Sequence, residues 1–440
     1  MLAGVPSGRS AMHRLLFLDP GHFHATLTLR VPHPRVADEI FVYAQDGPEL
    51  RDFLALVERF NRRPEHPTRW QPAVTTCADP LARLVDERRG DVVVLAGRNG
   101  GKARTIHRLH AAGLHVLGDK PWLVDPGDLD HIRPSLAGWP LAMEIMTGRH
   151  DLAARLLKRL VDVPDVFGVF RDAAPAIEMD GVHQLEKLVD GAPLRRPWWF
   201  FDVRVQGTGG VDIPTHLVDR AQWLVDGAGG GPAEIPELLF ARASSTPVPL
   251  DAFCRITGQP GFPPDLQPLV DGEALEYLCN IELRYRIGRV TAHASARWDL
   301  SAPPGGHDAS RVVAHGTRAN VILEQGVDTG HRRRLIVEPW GRAGGVPPAV
   351  TDAVAAWRRE FPGLEVAGAG PGRYEVAIPA GLDAGHESHF TRVLDECLET
   401  IDARRWPAAQ AARTLAKYTF LAEVAAKAGG GHTVPAQENR

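Results

Sequence analysis

One lysine has the setting that acid–base chemistry requires. Lys120 follows a continuous apolar run and precedes a proline in "HVLGDKPWLVD". The run predicts a buried parallel strand, and ligands of open α/β sheets bind at the carboxyl ends of such strands. A lysine there can hold a hydroxyl or alkoxide group and lower its pKa. The alternative is a surface lysine in a loop.

A histidine flanked by two carboxylates forms a second candidate. Asp212, His216 and Asp219 occupy positions i, i+4 and i+7 of "GTGGVDIPTHLVDRAQWL". This spacing predicts one face of a helix, with Pro214 in the first turn. An imidazole beside carboxylates is a candidate base. The alternative is a polar helix stripe that contains one satisfied histidine.

The turn in "FLDPGHFHATL" resembles a dinucleotide-binding fingerprint that has lost two of its glycines. The three glycine slots of G-x-G-x-x-G hold Asp19, Gly21 and His24. Gly21 keeps the slot that lets the backbone approach a pyrophosphate. The Asp19 carboxylate would repel that group unless His22 and His24 donate to it. From the motif alone, an altered nucleotide turn and an ordinary strand–turn–helix remain equally open.

An acidic residue ends the second predicted strand. Asp46 can accept hydrogen bonds from ribose hydroxyls, as acidic residues near this place do in dinucleotide-binding folds. A 2′-phosphate beside that carboxylate is repelled, so Asp46 favours NAD over NADP. The alternative is a solvated turn, because Asp-Gly is a common turn dipeptide.

These side chains require a parallel sheet to position them. Apolar runs alternate with helical patterns in the first third of the chain, which predicts right-handed βαβ units. The predicted strands span 13–19, 39–46, 91–97, 114–121 and 140–147. The stretch 48–80 is predicted to hold a helix and an insertion.

The pattern changes after about residue 150, where strand candidates follow one another. Segment 165–172 is predicted as a strand, and a hairpin is predicted to turn at Ile287–Gly288–Arg289. Helices are predicted over 386–402 and 407–428. The fold class is therefore α/β: a Rossmann-type parallel sheet domain followed by an α+β domain with an open, mostly antiparallel sheet. The predicted division is a disordered leader 1–12, domains 13–148 and 149–428, and a loose tail 429–440.

Composition narrows the functional class. The 440 residues carry a net charge of −4 with 24% charged residues, so nothing suggests nucleic acid or a membrane surface as a partner. The four cysteines form no C-x-x-C pair, which fits a reducing compartment. The amino-terminal stretch lacks the apolar core of a secretion signal, so a cytoplasmic protein is expected.

The motifs in this order resemble the glucose–fructose oxidoreductase/inositol dehydrogenase (Gfo/Idh/MocA) family of oxidoreductases. They read "LDPGHFHA", "DKP" and "GGVDIPTHLVD", and the resemblance extends over most of residues 13–428. It is closest to a subgroup whose C-terminal half forms a family of its own.

The resemblance implies roles for individual residues. Lys120 matches the catalytic lysine, His216 the acid/base histidine and Asp212 its companion aspartate. Asp119 stands where the family has glutamate. A cofactor site is expected at the turn, at the end of the second strand and in the loop after the third predicted strand, comprising Gly21, His22, Phe23, Asp46, Gly97, Asn99, Asp119 and Lys120.

Other candidates carry less weight. Trp199 and Asp202 in "RRPWWFFD" could line a sugar pocket, although core packing is the alternative. Arg149 could reach substrate or form a salt bridge. No histidine spacing matches a known zinc motif, so no metal is assigned.

The implied function is NAD(P)-dependent hydride transfer, with NAD favoured, from a secondary alcohol of a sugar, glycoside or cyclitol. One alternative is a redox-neutral enzyme that cleaves glycosides through transient oxidation. A second is a cofactor-binding protein without catalysis. A homo-oligomer, dimer or tetramer, is expected because the open sheet has a face to cover.

Overall fold

The computed structural model describes residues 12–172, 175–189, 192–226, 233–301, 307–341, 345–382, 385–406 and 408–428. The predicted tail and all of the predicted leader except Met12 lie outside these residues. Two large sheets organise the described chain, one wholly parallel and one mostly antiparallel. This arrangement confirms the predicted fold class.

The first sheet has six parallel strands in the order β3-β2-β1-β4-β5-β6. They are β1 Leu15–Leu18, β2 Glu39–Ala44, β3 Gln71–Thr76, β4 Val92–Leu95, β5 His115–Asp119 and β6 Ala142–Ile145. The central strands β1 and β4 are buried along their whole length, as their uninterrupted apolar sequences predict. The strand order reverses between β1 and β4, and crevices at such points bind ligands.

The strand β3 was not expected from the sequence, which placed an insertion there. It lies at the edge of the sheet and pairs only with β2 among the described strands. Its residues are partly exposed, and it contains Pro72, which an edge strand tolerates. The weak hydrophobic pattern of an edge strand explains why the prediction missed it.

Twelve α-helices surround the two sheets in the described residues. They are α1 His24–Leu27, α2 Pro48–Arg62, α3 Pro80–Glu87, α4 Lys102–Ala111, α5 Leu129–Ser135, α6 Leu152–Val161, α7 Val203–Gln206, α8 Pro214–Val225, α9 Leu250–Thr257, α10 Val346–Trp357, α11 His389–Asp402 and α12 Ala408–Ala428. None is long and apolar enough to cross a membrane.

The second sheet follows the order β10-β12-β13-β7-β14-β15-β16-β18-β17, with β11 beside β12. Its neighbours are antiparallel except for β7 and β13. The remaining strands, with the small β8/β9 pair, are β7 Ile177–Glu186, β8 Leu188–Val189, β9 Ala192–Pro193, β10 Glu237–Pro249, β11 Val270–Asp271, β12 Ala274–Ile287, β13 Val290–Ser301, β14 Ala309–His315, β15 Ala319–Gln325, β16 Arg334–Pro339, β17 Glu365–Gly368 and β18 Tyr374–Ala377.

The predicted hairpin is present, but one predicted strand is not. Ile287 pairs with Val290 across a turn in which Gly288 has a φ of +57°, a value that favours glycine. Segment 165–172 is mostly turn and forms only an isolated bridge at Phe170. Val166 and Phe167 are buried in the core without regular strand pairing, so the prediction of a strand there is wrong.

The helix α11 returns to the first sheet from the far end of the sequence. Phe390 and Leu394 join the same buried cluster as Leu15 and Phe17 of β1. The four-residue helix α1 covers little of this face, and α11 supplies the missing apolar surface. The helix α11 therefore stabilises the sheet that carries the candidate site.

Candidate active site

A pocket lies where the carboxyl ends of β1, β4 and β5 meet the second half of the chain. Seven predicted site residues line it, namely His22, Phe23, Gly97, Asn99, Asp119, Lys120 and Asp212. Eight further residues complete the lining: His24, Lys187, Leu194, Arg196, Phe200, Gln206, Ile213 and Trp298. The structure thus brings together residues from six separate segments of the sequence.

The altered fingerprint turn keeps the backbone of a glycine-rich one. Asp19 has a φ of +39°, in the left-handed region that glycine enters most easily. Its Oδ1 atom accepts a hydrogen bond of 3.1 Å from the N–H group of Gln45. Aspartate can therefore occupy the first glycine slot because its own side chain stabilises the turn.

The turn also lies close against the end of β4. The N–H group of His22 donates to the carbonyl oxygen of Ala96 at 3.1 Å. A Cβ atom on Gly97 would lie only 2.4 Å from the carbonyl oxygen of Asp19, so no other residue fits at Gly97 without a backbone shift. Within the described chain, the N–H groups of Gly21 and Phe23 donate to no protein group, and they are available to a ligand.

The side chain of Trp199 packs against this turn. It is 1% exposed, and its indole N–H donates to Oε1 of Glu49 at 3.0 Å. Its ring lies 3.4 Å from where a Cβ atom of Gly21 would be. Trp199 does not line the pocket, so the structure does not support its predicted contact with a sugar.

Two histidines converge on the carboxylate of Asp119. The Nδ1 atom of His24 lies 3.0 Å from Oδ2 of Asp119, and the Nδ1 atom of His22 lies 3.2 Å from the same oxygen. The His22 nitrogen is buried and not aligned for a hydrogen bond to it. Burial alone would raise the pKa of Asp119, but the charges of the two histidines and the hydrogen bond with His24 hold it well below its usual range.

These three side chains also meet the geometric requirement for a metal site, which the sequence analysis did not assign. Their candidate ligand atoms lie within 4.8 Å of one another. Two imidazoles and a carboxylate are a common ligand set for zinc. The same atoms can instead form an ion-paired cluster in which the two imidazoles stabilise the Asp119 carboxylate.

The loop after β4 is fixed by a buried lysine. The Nζ atom of Lys102 lies 2.5 Å from Oδ1 of Asn99 and 2.9 Å from the carbonyl oxygen of Asp119. The Nδ2 atom of Asn99 donates to the carbonyl oxygen of Gln206 at 2.8 Å. Burial lowers the pKa of Lys102 to about 8. Lys102 is a positioning residue that the sequence analysis did not single out.

The central contact of the pocket is an ion pair between Lys120 and Asp212. The Nζ atom of Lys120 lies 2.5 Å from Oδ1 of Asp212, and both side chains are largely buried. Burial raises the pKa of Asp212, but the Lys120 charge outweighs that effect and lowers it, so Asp212 is ionised. Asp212 lies in the turn before α8, so it does not share a helix face with His216 as predicted.

The helix α8 begins at Pro214, as expected, but its polar residues enter separate environments. His216 lies outside the pocket lining, with Nδ1 3.2 Å from the sulfur of Met146. Asp219 accepts two hydrogen bonds from Arg149, at 2.7 and 2.8 Å, and lies 3.3 Å from the Nζ atom of Lys417. The predicted i, i+4, i+7 face is therefore not a single site.

Two further residues that were predicted to bind substrate form ion pairs with other residues of the protein. The guanidinium of Arg149 is paired with Asp219 and lies away from the pocket. Asp202 is buried, caps α7 and accepts two hydrogen bonds of 2.8 Å from Arg204. Both arrangements indicate structural roles. The sequence could not show this, because spacing along the chain does not reveal the charge partner of a residue.

The predicted ribose contact lies at the expected strand end. Asp46 follows β2 by two residues, its side chain is exposed, and Oδ1 lies 3.3 Å from the Nη1 atom of Arg51. It is not part of the pocket lining. A carboxylate and a guanidinium therefore stand together near the place where an adenosine ribose binds in such folds.

A family model described as "Putative oxidoreductase C terminal domain" matches residues 156–428. The crystal structure of a putative oxidoreductase from Parabacteroides merdae is 32% identical, with a TM-score of 0.90. That match covers 96% of this chain and 99% of the other. A comparison with curated proteins returns no significant match.

More distant structures share the fold. Levoglucosan dehydrogenase in complex with NADH and L-sorbose is 14% identical, with a TM-score of 0.57, and the match covers 95% of this chain and 97% of that one. KijD10, a 3-ketoreductase from Actinomadura kijaniata in complex with NADP and TDP-benzene, is 12% identical, with a TM-score of 0.55 and coverage of 93% and 96%.

Proposed function

This chain belongs to the family of the putative oxidoreductase C-terminal domain and is an oxidoreductase, and from that premise we propose that it oxidises a secondary alcohol of a sugar-like substrate with a nicotinamide cofactor. The observation that carries the proposal is the Lys120–Asp212 ion pair, which lies in a pocket beside the β1–β4 switch point.

The fingerprint turn has features that fit a dinucleotide. Gly21 and Phe23 offer N–H groups without a protein acceptor in the described chain, and His22 lines the pocket beside them. These donors can bind a pyrophosphate, with Gly97 and Asn99 beside them. A bound nicotinamide supplies the hydride acceptor.

The protein's own residues then handle the hydroxyl group. Lys120 holds the substrate oxygen and stabilises the alkoxide that develops as the O–H proton leaves. Asp212 stays ionised and orients the Lys120 ammonium. We assign the O–H proton to His216, as the family resemblance implies. Loss of that proton and of the hydride from the same carbon–oxygen unit leaves a ketone.

Cofactor preference is proposed to favour NAD. The Asp46 carboxylate repels a 2′-phosphate, but Arg51 beside it attracts one. The net preference is therefore expected to be moderate, and kcat/KM measured with both cofactors tests it. A strong preference for NADP would show that Arg51 dominates this contact.

The substrate class is supported by the distant structures with the same fold. One is a levoglucosan dehydrogenase bound to NADH and L-sorbose, and another is a 3-ketoreductase bound to NADP and TDP-benzene. We extend this class to the present pocket as sugars, glycosides and cyclitols.

A substrate panel tests the proposal. The protein is incubated with NAD and a set of glycosides, uronic acids and inositols, and both reduced cofactor and free aglycone are followed. Reduced cofactor without aglycone supports the dehydrogenase. Aglycone without net reduction would support the redox-neutral alternative, and neither product from a protein that binds NAD would contradict both. Lys427→Met, on an exposed part of α12, is the matched control for variants of Lys120.

We also propose that the protein forms a homo-oligomer through the second sheet. Residues of β12 alternate between a buried face and a more exposed face, and the more exposed face carries Arg284 and Arg286. That face has polar groups available to a second copy. Light scattering at micromolar concentration tests this, and a monomer would contradict it.

A further inference from the structure

The pocket lining includes a buried arginine that was not predicted from the sequence. Arg196 is 7% exposed and lines the pocket with Phe200 and Trp298. Its guanidinium carbon lies 4.4 Å from the centre of the Phe200 ring and 5.2 Å from that of Trp298. Arginine guanidinium groups stack on aromatic faces in this way, which leaves their edges for hydrogen bonds.

The edge of this guanidinium is only partly used. The Nε atom donates to the carbonyl oxygen of Leu185 at 2.9 Å, and Nη2 donates to that of Gln184 at 3.0 Å. These contacts anchor Arg196 to the end of β7. The Nη1 group donates to no acceptor in the described residues, and Arg196 lines the pocket. Two neutral carbonyl groups hold the arginine in place without neutralising it.

Charge counting sets Arg196 apart from the other cations of the pocket. Lys120 is paired with Asp212 at 2.5 Å, and Lys187 with Asp308 at 2.8 Å. No carboxylate oxygen of the described residues lies within 4.0 Å of the Arg196 guanidinium. Burial lowers the pKa of Arg196 to about 10, which leaves it charged at neutral pH. Asp308 and Asp212 favour the charged form from beyond that distance, so this buried positive charge has no carboxylate of the described residues in direct contact.

We propose that Arg196 binds a carboxylate of the substrate, so that the alcohol oxidised in this pocket belongs to a sugar acid such as a uronic acid or its glycoside. This inference rests on the proposed function and specifies its substrate class. A planar carboxylate matches the free edge of the guanidinium, and a charge-assisted contact of this kind is stronger than a neutral one.

The charge count favours a carboxylate over a phosphate. A single unpaired guanidinium neutralises one negative charge, whereas a phosphate monoester carries nearly two at neutral pH. Because Lys120 and Lys187 already have carboxylate partners, a dianion would remain partly uncompensated in a buried site. Phe200 and Trp298 provide apolar surface for the sugar ring beside the anchored carboxylate.

Calorimetry tests the inference without requiring turnover. Glucuronate, glucose and glucose 6-phosphate are titrated at matched ionic strength into the protein, alone and saturated with NAD. The wild type is expected to bind glucuronate at least about tenfold more tightly than glucose, the usual effect of one charge-assisted contact. Arg196→Met should weaken glucuronate binding alone and abolish that preference.

Two further variants separate the contact from folding. Arg196→Lys keeps a positive charge and should retain part of the preference for glucuronate. Arg195→Met removes the neighbouring arginine, which is exposed, and should change nothing. Melting temperatures check that each variant is folded.

The possible outcomes distinguish the carboxylate site from its alternatives. A preference that survives in Arg196→Met, equal binding of glucose and glucuronate, or no binding of either sugar would overturn the inference. Tighter binding of glucose 6-phosphate than of glucuronate would make this a phosphate site and overturn the carboxylate assignment. Glucuronate that binds through Arg196 but is never oxidised would uphold the anion site and contradict only the proposed function.

Discussion

The Nζ atom of Lys120 lies 2.5 Å from Oδ1 of Asp212, although 92 positions separate the two residues in the sequence. Lys120 follows β5 of the parallel sheet, and Asp212 lies in the turn before α8. The ion pair therefore joins the two halves of the chain at the pocket.

Removal of either member of this pair should impair catalysis. Lys120→Met and Asp212→Asn are each expected to lower turnover by about 10²–10⁴, the usual contribution of acid–base groups. The double variant should lose little more than either single one, because the two groups act as a unit. Steady-state kinetics on any substrate that the wild type oxidises measures this, with Lys427→Met as the control. Full activity in either single variant would show that the pair is structural.

His216 should control the dependence of the rate on pH. If it accepts the hydroxyl proton, His216→Ala should lower kcat and flatten the rise of kcat/KM around neutrality, where an imidazole titrates. His293→Ala is the control because His293 lies on β13 of the second sheet, where its Nε2 atom is 3.4 Å from Oε1 of Glu282. An unchanged pH profile in His216→Ala would assign the base to another group.

The buried charge cluster of Lys417 should dominate the stability of the C-terminal region. Lys417 is fully buried, with Nζ 2.5 Å from Oε2 of Glu144 and 3.3 Å from Oδ1 of Asp219. Lys417→Met leaves two carboxylates without this cation, which typically costs about 3–5 kcal/mol. Lys427→Met on the same helix removes only an exposed ion pair and should cost less than about 1 kcal/mol. Urea unfolding measures both, and equal losses would contradict the assigned role of the cluster.

Lys102 should make the free energy of unfolding depend on pH in the alkaline range. Burial lowers its pKa from 10.5 to about 8. Between these values the unfolded chain holds a proton that the folded chain has lost, so stability contributed by this group rises with pH. Relative to Lys102→Met, the wild type should gain up to about 1.4 kcal/mol of unfolding free energy per pH unit across that interval, and nothing below it. A constant difference between the two proteins from pH 8 to 10.5 would refute this.

Local motifs predicted the parallel sheet and much of the pocket. The apolar sequences of β1, β4 and β5 predict buried strands. Gly21, Gly97 and Lys120 follow these strands, so their place at the strand ends could be predicted. Asp212 was found by its motif, but its position in a turn was not, because spacing alone cannot show where a helix begins. Pro214 marks that start.

Contacts between distant segments could not be predicted from spacing. The pairing of Arg149 with Asp219 removes a predicted substrate residue from the pocket, and no local pattern announces it. Arg196 reaches the pocket only because β7 and β13 pair side by side and place Trp298 beside it. The sequence signal was the aromatic cluster around Trp199, but it did not single out Arg196.

Binding of NAD to the wild type and to Gly97→Ala tests the central claim most directly. The alanine Cβ atom would lie 2.4 Å from the carbonyl oxygen of Asp19 and displace the fingerprint turn. Gly261→Ala, whose Cβ atom would have no neighbour within 4 Å, is the control. We expect calorimetry to show NAD binding to the wild type, to Gly261→Ala and to Lys120→Met, with a loss of at least about tenfold in Gly97→Ala, equivalent to about 1.4 kcal/mol. Absence of NAD and NADP binding at millimolar concentration, or equal binding in Gly97→Ala, would contradict the account.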